Sequence, residues 1–464
     1  MRHTRLLALT LCCFTSLMAQ NPQEEMSEKN PLDFFGATGI FSRFGFNDKY
    51  DPSVGAYPTD SVASLYTELN LRYNMLSHLD SSSMDTLSFV VGGAFGGIGY
   101  DSTRNDNDND DGGLGYWYSG YYGGYLGNEA ATPLNTRNFV MHNGFFHLKS
   151  KGFEAKLGRY KSTMDQQSAY TQGFNIDYTT HIGSDSSLKV WGFGSYGRAY
   201  AYAQWIYDWY SELTTDFNKD GKADANLGKY AFGIDFVNGS LQENTPSYSL
   251  LIRPYIYFYP EIFEAIGGRM IYESNVSEKL SIKAQMQGFY LHIHDAFVKG
   301  KFSNQSPIDP NSTNLNIVLE ATYSGYNMGL GYYQNFGSAN AYFGGYPIYI
   351  DIWTASLYDI GRSKSDMVNR NAQSFYLITK KDFTYSFGKI HSKILARYTQ
   401  SPRSDETSVA LYLGHTFKNN LSIGCKLEYL SDTTKAGYQI NGTELKNTRI
   451  DDRSHAFLTF DYGF

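Results

Sequence analysis

The feature that most constrains this chain is an alternation of apolar and polar residues with period two, repeated in short blocks from residue 38 to residue 464. In 65–74, LYTELNLRYN, one set holds Leu65, Thr67, Leu69, Leu71 and Tyr73. The other set holds Tyr66, Glu68, Asn70, Arg72 and Asn74. Successive side chains of a strand point to opposite faces, so the block reads as a strand between an apolar and a wet environment. Leu280, Ile282, Ala284 and Met286 repeat the pattern against Ser281, Lys283, Gln285 and Gln287. Leu421, Ile423, Cys425, Leu427 and Tyr429 do so against Ser422, Gly424, Lys426 and Glu428. The last residues, FLTFDYGF, set Leu458, Phe460, Tyr462 and Phe464 on one face.

Nineteen candidate strands result, among them 38–46, 62–76, 152–161, 173–182, 347–358 and 453–464. The gaps between them alternate in length: 150–152, 276–278 and 418–420 are short, while 100–136, 204–227 and 431–452 are long. Strands of about 10 residues with short turns at one end and long loops at the other are the pattern of a transmembrane β-barrel. No run of 18 apolar residues follows the N-terminal segment, so no membrane helix is expected. A soluble β-sandwich alternates too, but it would bury its apolar face. Aromatic residues at strand ends and tight turns such as Lys418–Asn420 favour the barrel. The expectation is an all-β fold: a transmembrane antiparallel barrel over 38–464, with about 18 strands because single-chain bacterial barrels have even numbers. Lipid offers no water to unpaired backbone groups, so the sheet must close and its last strand must pair with its first.

The N-terminus supplies an address. Arg2 and Arg5 precede a short apolar run, Leu6–Met18, and Ala19 offers a small residue for cleavage. Residues 1–19 therefore read as a secretory signal peptide, and 20–37 as an N-terminal lead. Cleavage would leave 37 basic residues against 46 acidic ones. Such an acidic balance disfavours nucleic acid as a partner. Only Cys425 would remain of three cysteines, so no internal disulfide is expected.

The stretch 153–178, FEAKLGRYKSTMDQQSAYTQGFNIDY, joins a strand to a polar segment and returns. With the C-terminal strand, it resembles the Helicobacter outer-membrane protein family and, more loosely, the Campylobacter major outer-membrane porin and OprD-type channels. The resemblance implies an 18-stranded barrel in the bacterial outer membrane, with inward-folded constriction loops that narrow a diffusion channel. It also implies that the barrel-assembly machinery recognises the aromatic C-terminal strand. The chain departs from an OprD-like pattern in its acidic balance and sparse arginines, so no basic substrate ladder is carried over.

A pore selects by size and by charged side chains at its narrowest part. Glu68, Arg72, Glu154 and Lys156 fall on the polar parity of their strands and are expected to line the lumen, as are Lys189, Asp235, Lys283, Lys426 and Glu428. The constriction is expected within 159–178, where Arg159, Lys161, Asp165, Tyr170 and Asp177 mix both signs. The segment 216–224, DFNKDGKAD, reads first as a polar outer loop. Asp216, Asn218, Asp220 and Asp224 also fill oxygen positions of a calcium loop, although Leu227 stands where that loop needs its bidentate acid. The segment 105–113 is a similar acidic loop, and either could bridge divalent ions to lipopolysaccharide. His292 and His294, ~7 Å apart along one strand face, continue an outward stripe and are expected beyond the bilayer.

No G-x-S-x-G elbow occurs, and no enzymatic activity is expected. The paired glycines Gly92-Gly93 and Gly96-Gly97 lie within a strand, where they let a neighbour pack close. The functional expectation is passive passage of small hydrophilic solutes through a water-filled barrel embedded in outer-membrane lipid. A surface adhesin on the same scaffold is the alternative. The oligomeric state is left open.

Overall fold

The computed structural model of the protein describes residues 31–78, 85–102, 119–120, 139–167, 169–204, 206–210, 226–242, 245–295, 309–343, 347–354, 356, 365–440 and 442–464. Eighteen strands of nine to sixteen residues form one continuous antiparallel wall. They are β1 (Leu32–Gly45), β2 (Val62–Asn74), β3 (Thr86–Asp101), β4 (Phe139–Ser150), β5 (Phe153–Lys161), β6 (Tyr170–His181), β7 (Ser186–Ala201), β8 (Lys229–Gly239) and β9 (Ser247–Tyr259). The second half comprises β10 (Phe263–Asn275), β11 (Leu280–Ile293), β12 (Asn311–Tyr323), β13 (Tyr326–Phe336), β14 (Gln373–Tyr385), β15 (Gly388–Gln400), β16 (Ser404–Phe417), β17 (Leu421–Thr434) and β18 (His455–Gly463). Each strand pairs with its sequence neighbours, and β1 closes the ring on β18. Thr38 lies opposite Thr67 on one side and Tyr462 on the other. One residue past β18, Phe464 exchanges both backbone hydrogen bonds with Gly36 of β1, at 2.9 and 3.0 Å.

The distribution of exposure settles the choice between barrel and sandwich. On β2, Leu65 and Leu69 are 55 and 54 % exposed, whereas Glu68 and Asn70 are 1 and 3 % exposed. The same inversion marks β18, where Phe460 and Tyr462 are exposed while Asp461 and His455 are buried. A soluble sandwich would show the opposite. An exposed apolar band around a closed sheet is what lipid demands. Short turns such as 151–152, 324–325 and 386–387 lie at the end that holds both ends of the wall; at the other end β3, β7 and β13 finish and β4, β8 and β14 begin.

The wall begins at Leu32, six residues before the expected boundary at 38. Leu32 and Phe34 face outward while Asp33 and Phe35 are buried, so the alternation starts earlier than the adjacent Phe34-Phe35 pair suggests. The expected signal peptide, 1–19, and residues 20–30 lie outside the described residues. So do both candidate calcium loops, 105–113 and 216–224.

One candidate strand, 347–358, is not part of the wall: its described residues lie between β13 and β14 without strand pairing. Its alternating Ile348, Ile350 and Ile352 are buried in a cluster with Val318, Tyr333, Tyr376, Ile378 and Leu395. The apolar stripe that suggested a lipid-facing strand instead covers an apolar patch on the lumen side. Removing it from the nineteen candidates leaves the eighteen observed. The glycine-rich part of β3 behaves as a close-packing surface. A Cβ on Gly96 would fall 2.2 Å from the Leu65 carbonyl oxygen and 2.3 Å from Ile206 Cδ1.

Candidate pore constriction

Two segments fold inward from the long-loop end and narrow the lumen. The first comprises 162–167 and Ala169, between β5 and β6. Its Asp165 carboxylate accepts from Arg253 Nη1 at 2.9 Å and from Arg269 Nη1 at 3.0 Å. These arginines stand opposite each other on β9 and β10. Arg253 also donates to both oxygens of Asp235, at 2.8 and 2.6 Å, and Trp191 Nε1 donates to Asp235 at 2.8 Å. The clamp therefore holds two cations and two anions whose side chains are 8–18 % exposed. Charge-assisted bonds of this kind contribute roughly 1.5–3 kcal/mol each, enough to fix a short segment against the wall.

The second comprises the described residues between β13 and β14: 337–343, 347–354, 356 and 365–372. Its first turn, Ala339–Phe343, drives Phe343 between Tyr257, Phe263 and Phe289, with ring centroids at 5.1, 5.5 and 4.6 Å in edge-on contact. Asn316 on β12 then accepts from the Ile348 amide at 2.6 Å. From there the chain runs along the inner wall, meeting one cation after another. Lys380 on β14 lies 3.7 Å from the Tyr349 ring centroid. Lys393 on β15 donates to the Tyr349 carbonyl at 3.4 Å. Lys426 on β17 reaches Asp351 at 3.1 Å, and Arg43 on β1 donates to the Thr354 carbonyl at 3.3 Å. The same wall face carries acids: Glu320 meets Lys380 at 2.7 Å and the Tyr349 hydroxyl at 2.7 Å, and Glu428 meets Lys426 at 2.9 Å. The inner wall thus carries a row of cations that the acidic composition did not suggest, and each of these four is met by the inward segment.

The residues expected at the constriction separate into three places. Asp165 alone lies in an inward segment. Arg159 and Lys161 end β5, and Tyr170 and Asp177 belong to β6, so the expected constriction 159–178 is mostly wall. The reason is that 153–161 and 170–181 pair directly, leaving only the short span between them to turn inward. Arg159 donates from Nε to Gln172 at 2.9 Å and lies 4.7 Å from the Trp209 ring centroid. Lys161 lies over Tyr202 at 5.2 Å.

Tyr170 joins a second group: its hydroxyl is 3.5 Å from Glu68, which His142 Nε2 also meets at 3.0 Å. Both Glu68 and His142 are buried on the inner face, under a cluster that includes Ile206 and Trp209. Arg72 faces the lumen near the short-turn end, 5.3 Å from the Phe35 ring centroid.

The third group also faces inward, near the short turns. Glu154 pairs with His147 at 3.0 Å and Lys156 at 3.8 Å. Asp177, opposite Glu154 in register, pairs with Lys189 at 3.1 Å. His292 and His294 bond Asn311 and Glu264, at 2.8 and 3.0 Å, near the loop end of β11.

Sequence reasoning missed Arg253, Arg269, Glu320, Lys380, Lys393 and Asp351. The wall residues among them sit on the polar parity of their strands, which was a usable signal. Asp351 was hidden because its segment was read as a strand.

A closed wall, a polar interior and inward segments tied to it by ion pairs define a transmembrane β-barrel with a constricted lumen. The chain belongs to the family described as "Putative outer membrane protein", whose pattern it matches over residues 18–464. It is an outer-membrane protein by that membership. No sequence match is found among proteins of curated function. In structure the chain is similar to Acinetobacter baumannii OccAB2 (TM-score 0.59, 11 % identity, covering 95 % of this chain and 99 % of that one). It is also similar to Pseudomonas aeruginosa OccD3 (OpdP), with TM-score 0.57, 10 % identity and coverage of 95 and 94 %. A third similar structure is Pseudomonas aeruginosa OpdK with vanillate, at TM-score 0.56, 10 % identity and coverage of 93 and 98 %.

Proposed function

We propose that the protein is a porin: a passive diffusion channel for small hydrophilic solutes and ions. The observation that carries this reading is the inner wall itself. Polar and charged side chains line it on strand after strand, and two inward segments narrow it through named ion pairs. Diffusion through such a passage is governed by its width and by the field of those pairs. Because cations and anions alternate along the wall, the field is local rather than of one sign, and selectivity is expected to be modest.

The proposal extends to the surroundings of the barrel. The assembly machinery would engage the outward Phe460, Tyr462 and Phe464, and the acidic loop bearing Asp216, Asn218, Asp220 and Asp224 would take calcium or bridge lipopolysaccharide. Liposome swelling with neutral sugars of graded size tests the central reading. Uptake that falls steeply with solute size supports it, and liposomes that exclude the smallest sugar refute it.

A further inference from the structure

On the outward face of β13–β16 the cross-strand register sets side chains in rows. Leu330, Leu377, Ala396 and Val409 form one row. Tyr332, Phe375 and Tyr398 form the next row toward the loop end. Both rows are turned to lipid: Leu330 is 65 % exposed and Phe375 56 %. Ala396 is the smallest member, with Leu377 opposite on one side and Val409 on the other, so the wall dips there. The resulting groove has a volume of about 630 Å³ and continues to Ile317 and Leu319 on β12. Clefts that hold a small molecule measure roughly 300–1,000 Å³. Five neighbouring strands span ~19 Å at the usual spacing, which leaves room for more than one acyl chain.

A third row closes the groove toward the loop end, and it is polar. Gln334, Gln373 and Gln400 stand opposite one another on β13, β14 and β15. Gln373 Nε2 donates to the Tyr332 hydroxyl at 3.0 Å, which donates to Gln334 Oε1 at 2.7 Å. Gln400 Nε2 donates to the Tyr398 hydroxyl at 2.9 Å. These bonds orient the amides and leave Oε1 of Gln373 and of Gln400 without a hydrogen-bond partner among the described residues. Each is an acceptor that calls for an N–H or O–H donor. Long loops mark the outer side of such barrels, so this row lies at the outer leaflet.

The groove is continuous with the apolar band that meets lipid, so its occupant comes from the membrane. Its floor suits acyl chains. The amide oxygens above suit hydroxyl or amide N–H donors, whereas a phosphate would set acceptor against acceptor. We propose that this face is a binding site for one glycolipid of the outer leaflet. The acyl chains lie in the groove over Ala396, and hydroxyl or acyl-amide N–H groups of the sugar headgroup donate to Gln373 and Gln400. The site requires the closed wall in a membrane and is independent of conduction.

The test is native mass spectrometry of the folded protein in detergent. The probe is lipid A stripped of its phosphates, and phosphatidylethanolamine is the comparison lipid. Ala396→Phe fills the dip; the double variant Gln373→Leu with Gln400→Leu removes both acceptors and keeps the bulk. Heat-dependent gel mobility confirms folding, and the double variant keeps the test open if Ala396→Phe does not fold. The site predicts one probe molecule per wild-type barrel, held at least fivefold more tightly than phosphatidylethanolamine. Each variant should weaken the probe at least fivefold, and the double variant should leave phosphatidylethanolamine unchanged. Equal binding of the probe by the wild type and the folded double variant overturns the proposal, as does equal affinity for the two lipids. A wild type that takes no lipid but forms a dimer or trimer broken by Ala396→Phe makes this face a contact between copies and overturns it too. A barrel that binds the probe yet carries no current refutes the porin reading alone.

Discussion

Asp165→Asn isolates the electrostatic role of the first inward segment. The substitution keeps the shape of the side chain and removes one of four charges in a clamp formed with Arg253, Arg269 and Asp235. The clamp passes from neutral to a net single positive charge. For a monovalent ion passing ~5 Å away, one unit charge is worth about 0.8 kcal/mol in a water-like dielectric and about 3 kcal/mol at an effective constant of about 20. An anion gains what a cation loses. The lower figure alone thus separates them by about 1.7 kcal/mol, somewhat over tenfold in permeability ratio. Screening does not erase this, because the Debye length is about 10 Å at 0.1 M salt. The assay is the reversal potential across a bilayer in a salt gradient, where a shift of tens of millivolts toward anion preference is expected. Arg159→Gln should move it less, since Arg159 rests on Trp209 and Gln172 rather than in the clamp. A reversal potential that Asp165→Asn leaves unchanged, with conductance intact, would refute placing the constriction at this clamp.

Three further substitutions probe the wall and its packing. Leu427→Arg places a charge on a lipid-facing position that is 47 % exposed; folding into vesicles should weaken by about 2–4 kcal/mol if the site lies near mid-bilayer, read by denaturant titration. Phe343→Ala empties the space between Tyr257, Phe263 and Phe289, which should cost about 3–5 kcal/mol and lower the unfolding temperature in detergent. Gly331→Ala would place a Cβ 2.0 Å from the Tyr376 ring, whose hydroxyl accepts from Asn316 at 2.8 Å. Overpacking there should cost about 1–3 kcal/mol, visible as a lower denaturation midpoint.

The wall was legible because lipid imposes a strict rule: every second residue must be apolar, and Leu65, Leu69, Leu427 and Phe460 obey it. The lumen imposes a looser one, in which a side chain need only be satisfied. Lys426 could be assigned to the inner face by parity, but its partner Asp351 lies 75 residues away in sequence, and parity carries no information about such pairings. The segment around Ile348–Ile352 misled for the same reason. Its alternation is real, yet the face it buries packs on Leu395 and Val318 of the inner wall rather than on lipid. Asp165 was identified through its mixed-charge surroundings. The two arginines that hold it lie 88 and 104 residues away in sequence.

The central claim is that the closed wall encloses a passage open to water from end to end. Single-channel current through the purified protein in a planar bilayer tests it most directly. Discrete steps of constant conductance that grow with salt concentration are expected. A protein that inserts, shows the heat-dependent mobility of a folded barrel and yet carries no current would contradict it.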